Sequence, residues 1–402
     1  MEKLYYTDKY CKNFRAKVMD IKNDGERYYI ELDKTAFFPG GGGQFCDTGY
    51  VGKAYVSDMM EKDGKVIHIT ESIPEIDNDG YVDCSIEWDK RLDGMQQHLG
   101  QHVLSGCFYT LFGKNTCGFH LGREISTVDI EGSVDEEQII KVESMANDII
   151  SDNIEVEVYT PSKDELKNTW TRRKLPDTDS EIRIVKIGEL DTNACCGCHP
   201  DYTSELRMIK IKRVEKHKGN SRIEFLAGKR AVNYSLERDR VMSDVCRHLS
   251  CSEENLKGCV DNLEFRIKEL SEKRKNLEDK LMVYRIKELN DKIENINGID
   301  VISNIFIGEE IEYVSRIAKE ILTSENIIIL FACINEDKVN VIFSRSDIKN
   351  DINISEVLKK VMPIVDGKGG GNNKMAQGGG INSENAEKML EKAKTIIEEM
   401  LY

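Results

Sequence analysis

The chain has 402 residues, with 72 acidic against 57 basic side chains and a formal net charge of -15. That length predicts two to four domains, each able to bury a core, and the acidic balance argues against indiscriminate coating of nucleic acid. Forty per cent hydrophobic residues, 32% charged and only six prolines exclude a disordered chain. No apolar run approaches the ~18 residues of a membrane span, and the first ten residues lack a signal-peptide core. Twelve cysteines in such a chain read as reduced thiols or metal ligands, so a cytoplasmic location without membrane contact is expected.

Residues 1–90 carry short β-type runs such as 27–32 and 65–70, separated by Asn-Asp-Gly and Lys-Asp-Gly turns, and predict a small β-barrel-like domain. From Asp89 the pattern becomes helical, with Leu92, Met95, Leu99, His102, Val103, Phe108 and Leu111 on one broad face and Gly113 as a stop. Strands at 124–130, 154–159, 182–187 and 207–214 and a helix at 136–150 then predict an α+β domain over residues 91–250. In residues 251–297, Leu256, Val260, Leu263, Ile267, Leu270, Arg274, Leu277, Leu281 and Tyr284 alternate spacings of four and three. This heptad seam predicts a helical segment that folds back within its chain or pairs with a second copy as a homodimer. Residues 298–402 read as an α/β domain with a hairpin at 326–345, a glycine-rich stretch at 367–380 and a final helix from about 383 to 400. The fold class is α+β multidomain.

Four features carry chemistry. His98 and His102 sit one turn apart on the long helix, and about ninety residues later Cys195 and His199 share the same spacing. Together they supply a CysHis3 set suited to tetrahedral zinc, while Leu99 stands where a His-Glu-x-x-His peptidase needs glutamate. Cys196 and Cys198 are alternative thiols. Four consecutive glycines, Gly40 to Gly43, followed by Gln44, allow close backbone approach to a ligand but lack the Lys-Ser/Thr of a P-loop. The two glycine triplets around Lys368 and Lys374 suit a phosphate backbone or a folded RNA surface. Residues 210–230 hold eight basic and two acidic side chains, among them Lys210, Lys212, Arg213, Lys216 and Lys218, and read as a phosphate track beside the metal.

These motifs resemble a known family. His-x-x-x-His followed by Cys-x-Gly-x-His is similar to the editing domain shared by alanyl- and threonyl-tRNA synthetases. Phe37-Phe38-Pro39, the glycine run, Gln44 and Asp47-Thr48-Gly49 resemble the glycine-rich motif of the AlaX-type alanyl-tRNA editing proteins. Residues 368–380 resemble the DHH-associated domain, and the order along the chain is that of the long AlaX form. The resemblance implies a free-standing hydrolase that deacylates tRNA(Ala) mischarged with serine or glycine. It assigns zinc to His98, His102, Cys195 and His199, and the pocket to Gly41, Gly42, Gly43 and Gln44. It makes residues 91–250 the editing domain and 298–402 a tRNA-binding domain. His120 is a further pocket residue to test. Leu99, Cys198 and Phe45 depart from the common pattern at positions that bear on side-chain discrimination. The rival readings are a tRNA-binding module with structural zinc and a deacylase for another aminoacyl-tRNA.

Overall fold

The computed structural model describes residues 1–178, 181–348 and 352–401. Its contacts divide the chain into two units, Met1–Glu253 and Glu254–Tyr402.

In the first unit six strands close on one another in the order Asn13–Asn23, Tyr28–Leu32, Lys65–Thr70, Ala54–Lys62, Gly49–Val51 and Tyr81–Ile86. Register shifts at Val18/Asp20 and Val56/Asp58 mark bulges, the usual device for bending strands around a closed sheet. The interior is apolar, with Ile30, Leu32, Val56, Val66 and Val82 essentially inaccessible, and the alternation of buried and exposed positions follows the strand period of two. Polar groups are also buried there, His68 and Thr35 among them. His68 Nδ1–H donates to the Ile30 carbonyl at 3.1 Å, and its Nε2 accepts from the Thr35 hydroxyl at 2.8 Å. The Phe37 N–H donates in turn to Thr35 Oγ1 at 3.1 Å, so the relay is complete only with a neutral imidazole.

Outside the barrel runs the 25-residue helix Trp88–Phe112. It starts one residue before Asp89, which lies in its first turn, and Gly113 ends it in the left-handed conformation. Its Gly100 lets the sheet come close, since a Cβ there would stand 2.7 Å from the Ala227 methyl. That sheet has the order Ile209–His217, Asn220–Ala227, Ser126–Ile130 and Thr116–Leu121, and it shares a core with the helix Glu136–Ser151. A separate three-stranded sheet, Val156–Tyr159, Ile184–Ile187 and Asp191–Ala194, leads into the Cys195–His199 loop. The helix Lys229–Leu249 closes the unit.

The second unit begins with the 35-residue helix Leu256–Asn290, on which Leu263, Ile267, Leu270, Leu277 and Tyr284 are all exposed. A six-stranded sheet follows, in the order Glu294–Ile296, Ile299–Ile307, Ile327–Asn335, Lys338–Arg345, Met375–Gly380 and Lys368–Gly371. Helices Ile354–Val361 and Ala386–Met400 cover one face and Ile311–Ile321 the other. Burial on both faces explains the unbroken apolar run from Ile327 to Cys333. The glycine-rich stretch is an antiparallel ribbon at the end of this sheet, where a Cβ on Gly369 would meet the Leu358 side chain at 2.8 Å. Among the described residues no disulfide forms, and no helix is long and apolar enough to cross a membrane.

Burial pushes the His68 imidazole down to about 4. The unfolded chain protonates it near 6.5, so this contribution is complete above about pH 6.5 and is lost as the pH falls toward 4. Urea unfolding of the wild type and of His68→Gln between pH 7 and pH 5 should therefore show the wild-type advantage shrinking by about 2 kcal/mol. A difference that stays flat across that range would refute a neutral buried imidazole.

Candidate metal centre and its cleft

His98 and His102 project from one side of the helix, with ring centroids 5.3 Å apart. The His199 ring lies 4.4 Å from that of His98 and 5.0 Å from that of His102. Cys195 Sγ stands 3.4 Å from His98 Nε2 and 3.3 Å from His199 Nε2, and four donor atoms of these residues all fall within 4.8 Å of one another. Nitrogen and sulfur ligands on a tetrahedral ion, at ~2.0–2.1 and ~2.3 Å from it, would be about 3.5 Å apart, so the set fits. A second observation agrees. His102 Nε2 is buried without a hydrogen-bond partner among the described residues, which a bound cation would remedy.

The neighbours fix the ring orientations. His102 Nδ1–H donates to Asp191 Oδ2 at 2.8 Å, and Asp191 Oδ1 accepts from Arg172 Nε at 2.7 Å and Asn193 Nδ2 at 2.5 Å. His98 Nδ1 lies 3.3 Å from Gln44 Oε1, which also accepts the Cys198 N–H at 3.0 Å. Because that oxygen can only accept, the proton of a neutral His98 belongs on Nδ1, leaving Nε2 free for a metal. Electrostatics point the same way. Burial opposes ionisation of Cys195, but the adjacent His98 and His199 imidazoles outweigh it and hold the thiol well below its ordinary value. Burial, then repulsion from His98, pushes His199 down to about 3. Burial would also lower His102, yet the Asp191 bond and the Cys195 sulfur bring it up to about 9, so a cation entering here displaces a proton.

The glycine run reaches this cluster through a tight turn. Gly41 and Gln44 exchange both backbone hydrogen bonds at 3.0 Å, with Gly42 at φ +58° and Gly43 at φ +84° between them. A two-residue turn of this hand needs positive φ at both central positions, which is why both are glycine. A Cβ on Gly43 would stand 2.6 Å from the Phe119 ring, and one on Gly197 would stand 2.3 Å from the His98 ring. Gly41 takes part in the turn, Gly42 faces the cleft, and Gln44 is buried against both the helix and the Cys195–His199 loop.

The cleft in front of the cluster has a volume of about 1160 Å³ and includes Gly42, His98, His102 and Cys195 in its lining. Sequence reasoning missed Asp191 and the role of Arg172 in holding it, because a lone acid four residues before a cysteine gives no periodic signal. His120 sits on strand Thr116–Leu121 between Phe119 and Leu121, both packed inward, so it is exposed and does not line the cleft. Residues 210–230 fall mostly on the hairpin of strands Ile209–His217 and Asn220–Ala227, and none of them lines the cleft. Lys210 pairs with Glu143 at 2.8 Å and Arg213 with Glu215 at 2.6 Å, whereas Lys212 stands 5.0 Å over the Tyr234 ring. Lys216 and Lys218 form no ion pair among the described residues. In the second unit Lys374 pairs with Asp347 at 2.5 Å, and Lys368 is exposed on the edge strand.

Comparison with known proteins adds the family. Residues 182–224 match the threonyl and alanyl tRNA synthetase second additional domain, and residues 301–399 match the DHHA1 domain. The alanyl-tRNA editing protein AlaX-L of Pyrococcus horikoshii is 30% identical over 396 residues, covering 94% of each chain. The chain belongs to the AlaX-type alanyl-tRNA editing proteins. The mouse alanyl-tRNA editing protein Aarsd1 is 33% identical over 261 residues, covering 64% of this chain and 63% of its own. The alanine–tRNA ligase of Methanobrevibacter smithii matches 96% of this chain at 25% identity, and this chain spans 45% of that ligase. Within the editing family the four clustered donors thus fall partly inside the matched synthetase-associated segment, which contains Cys195 and His199.

Metal analysis of purified protein should find about one divalent ion per chain in the wild type and a near-complete loss in His98→Ala and Cys195→Ala. Asp191→Asn should keep the ligands but weaken affinity about 10- to 100-fold in a chelator competition. Unchanged affinity in that variant would remove Asp191 from the support of His102.

Proposed function

We propose that this protein hydrolyses the ester linking serine or glycine to the 3′ end of mischarged tRNA(Ala), with zinc held by His98, His102, Cys195 and His199. The observation that carries the reading is the meeting of two ligand pairs and the glycine turn at one cleft, in a chain of the alanyl-tRNA editing family. When bound, zinc supplies Lewis acidity toward an ester oxygen or a water. The chain's own residues do the rest. Gly42 and Gly43 contribute N–H groups that the turn itself does not use, and these are the donors for a developing oxyanion. Gln44 keeps the turn, His98 and the Cys198 backbone in one arrangement, which is the rigidity an oxyanion site requires. Selectivity against alanine follows from editing logic: a second site that hydrogen-bonds the serine hydroxyl leaves correctly charged tRNA unreacted.

Contact with the body of the tRNA is assigned to Lys212, Lys216, Lys218 and Lys368, which of the seven basic positions singled out in the sequence are those without ion pairs among the described residues. Lys210, Arg213 and Lys374 belong to the same surfaces but are neutralised by carboxylates. Residues 1–90, 91–250, 251–297 and 298–402 are proposed as barrel, editing, helical and tRNA-binding segments, in the cytoplasm. The exposed apolar stripe from Val260 to Tyr284 is proposed as the homodimer contact.

A second reading has one supporting observation. Four protein ligands complete a tetrahedron, as at structural metal sites, and such a chain would bind tRNA without cleaving it. Incubation with Ser-, Gly- and Ala-tRNA(Ala) separates the two. Loss of the serine and glycine esters with alanine retained is expected, and His98→Ala should abolish it together with the metal. Retention of all three esters would favour the binding module, and equal loss of all three would remove the selectivity. For the dimer, sedimentation of Leu263→Glu/Leu270→Glu should give half the wild-type mass; an unchanged mass would refute pairing through this helix.

A further inference from the structure

The wall of the cleft holds a guanidinium whose surroundings the metal centre does not explain. Arg183 immediately precedes strand Ile184–Ile187, and its carbonyl accepts the N–H of Cys195 at 3.0 Å, which places it beside a metal ligand. Its Nη1 donates to the Gly197 carbonyl at 2.5 Å, while its Cζ lies 4.5 Å from the centroid of the Tyr6 ring. Tyr6 is itself fixed, because its hydroxyl donates to the Cys196 carbonyl at 3.1 Å. Arg183 is thus held on one side by a ring and at one nitrogen by a carbonyl, both anchored to the Cys195–His199 loop. No carboxylate pairs with it, and no acceptor meets its Nε or Nη2 among the described residues. These two N–H groups form the guanidinium edge that grips two oxygens of one phosphate.

Three other cations of the cleft are already neutralised. Lys3 pairs with Glu61 at 2.6 Å, Lys9 with Asp201 at 2.5 Å and Arg172 with Asp191 at 2.7 Å. Arg173 and Lys174 also line the cleft without ion pairs among the described residues, and so do the carboxylates of Glu155 and Glu181. Net charge therefore does not single out an anion site, whereas the immobilised edge of Arg183 does. A long cation with no anionic partner is ordinarily left mobile, since ordering it costs up to about 2 kcal/mol of side-chain entropy. Here the ordering is built into the protein before a ligand arrives.

We propose that Arg183 binds the last phosphodiester of the tRNA, the one joining the terminal nucleotide to its neighbour, with Tyr6 as the residue that positions it. The inference rests on the deacylase reading for the identity of the ligand. The contact order supports it: Arg183 holds Gly197, and Gly197 packs against the His98 ring. A phosphate gripped there stands one nucleotide from an ester presented to the metal centre.

The test uses the full-length protein and an acceptor-stem minihelix ending in CCA, made with an ordinary last linkage or with a neutral methylphosphonate there. The neutral linkage should weaken wild-type binding about tenfold, the worth of one charge-assisted pair. Arg183→Gln should bind both minihelices equally, at the level the wild type shows for the neutral one. Tyr6→Leu should lose part of the discrimination. If Arg183 only braced the loop, Arg183→Gln would weaken both ligands and keep the tenfold ratio, and that result overturns the proposal. A wild type indifferent to the linkage overturns it as well. Linkage discrimination in a wild type that fails to deacylate Ser-tRNA(Ala) would sustain the phosphate site and sink the deacylase reading alone.

Discussion

The site depends on one buried ion pair. Arg91, in the first turns of the long helix, and Asp47, at the end of the glycine-rich segment, are both almost inaccessible to solvent. Arg91 Nε reaches both carboxylate oxygens at 2.9 Å, and its other nitrogens donate to the carbonyls of Ala36 at 2.5 Å and Lys9 at 3.0 Å. Asp47 in turn accepts the Phe38 N–H at 2.7 Å. Barrel loop, N-terminal segment and histidine-bearing helix are therefore tied at a single point two helical turns before His98. The pair is not a source of great stability in itself, since desolvating both charges consumes most of the attraction. Its value is geometric, because removing one partner strands a buried charge at a cost of about 3–5 kcal/mol, and every other way of seating the loop carries that cost.

With the loop seated, the His/Cys cluster assembles from two directions. The helix contributes two of the four donors at a spacing its own geometry guarantees, and the loop after strand Asp191–Ala194 contributes the other two. Gln44 spans the gap, touching His98 and the Cys198 N–H with one oxygen. Asp191 does the same on the far side through His102, and Arg172 neutralises it. The two flanking supports differ in charge: an amide behind His98 and a carboxylate behind His102. They give the two imidazoles different hydrogen-bond partners although both project from one helix.

The clustering of His98, His102, Cys195 and His199 was legible in the sequence because helical and loop spacings both bring residues four apart together, and neither needs knowledge of the rest of the fold. The extents of the long helix and its glycine stop were legible for the same reason. Gln44 was legible as a pocket residue, but the bonds that orient the rings were not. Asp191 and Gln44 act across 89 and 54 residues of chain, and no local periodicity encodes such a contact. His120 shows the converse difficulty, since its side of the strand follows from the inward packing of Phe119 and Leu121. The basic run at 210–230 lies away from the cleft, and its charge is smaller in space than along the chain. In a two-stranded hairpin its cations meet the acids of neighbouring strands and of the helix Glu136–Ser151, so a surplus counted along the chain is largely spent in space. The helix Lys229–Leu249 was invisible as an element because most of its residues are exposed and polar.

The glycine ribbon has a consequence for the solution behaviour of the second unit. Strand Lys368–Gly371 ends a six-stranded sheet and leaves one row of backbone groups unpaired, normally an invitation to edge-to-edge aggregation. Three of its four residues are glycine and the fourth is an exposed lysine. An incoming strand finds no side chains to interlock with, a backbone with much freedom to lose, and a charge at the end of the row. The same bareness that lets the ribbon lie close to the helix beneath it also makes it a poor template for fibre growth.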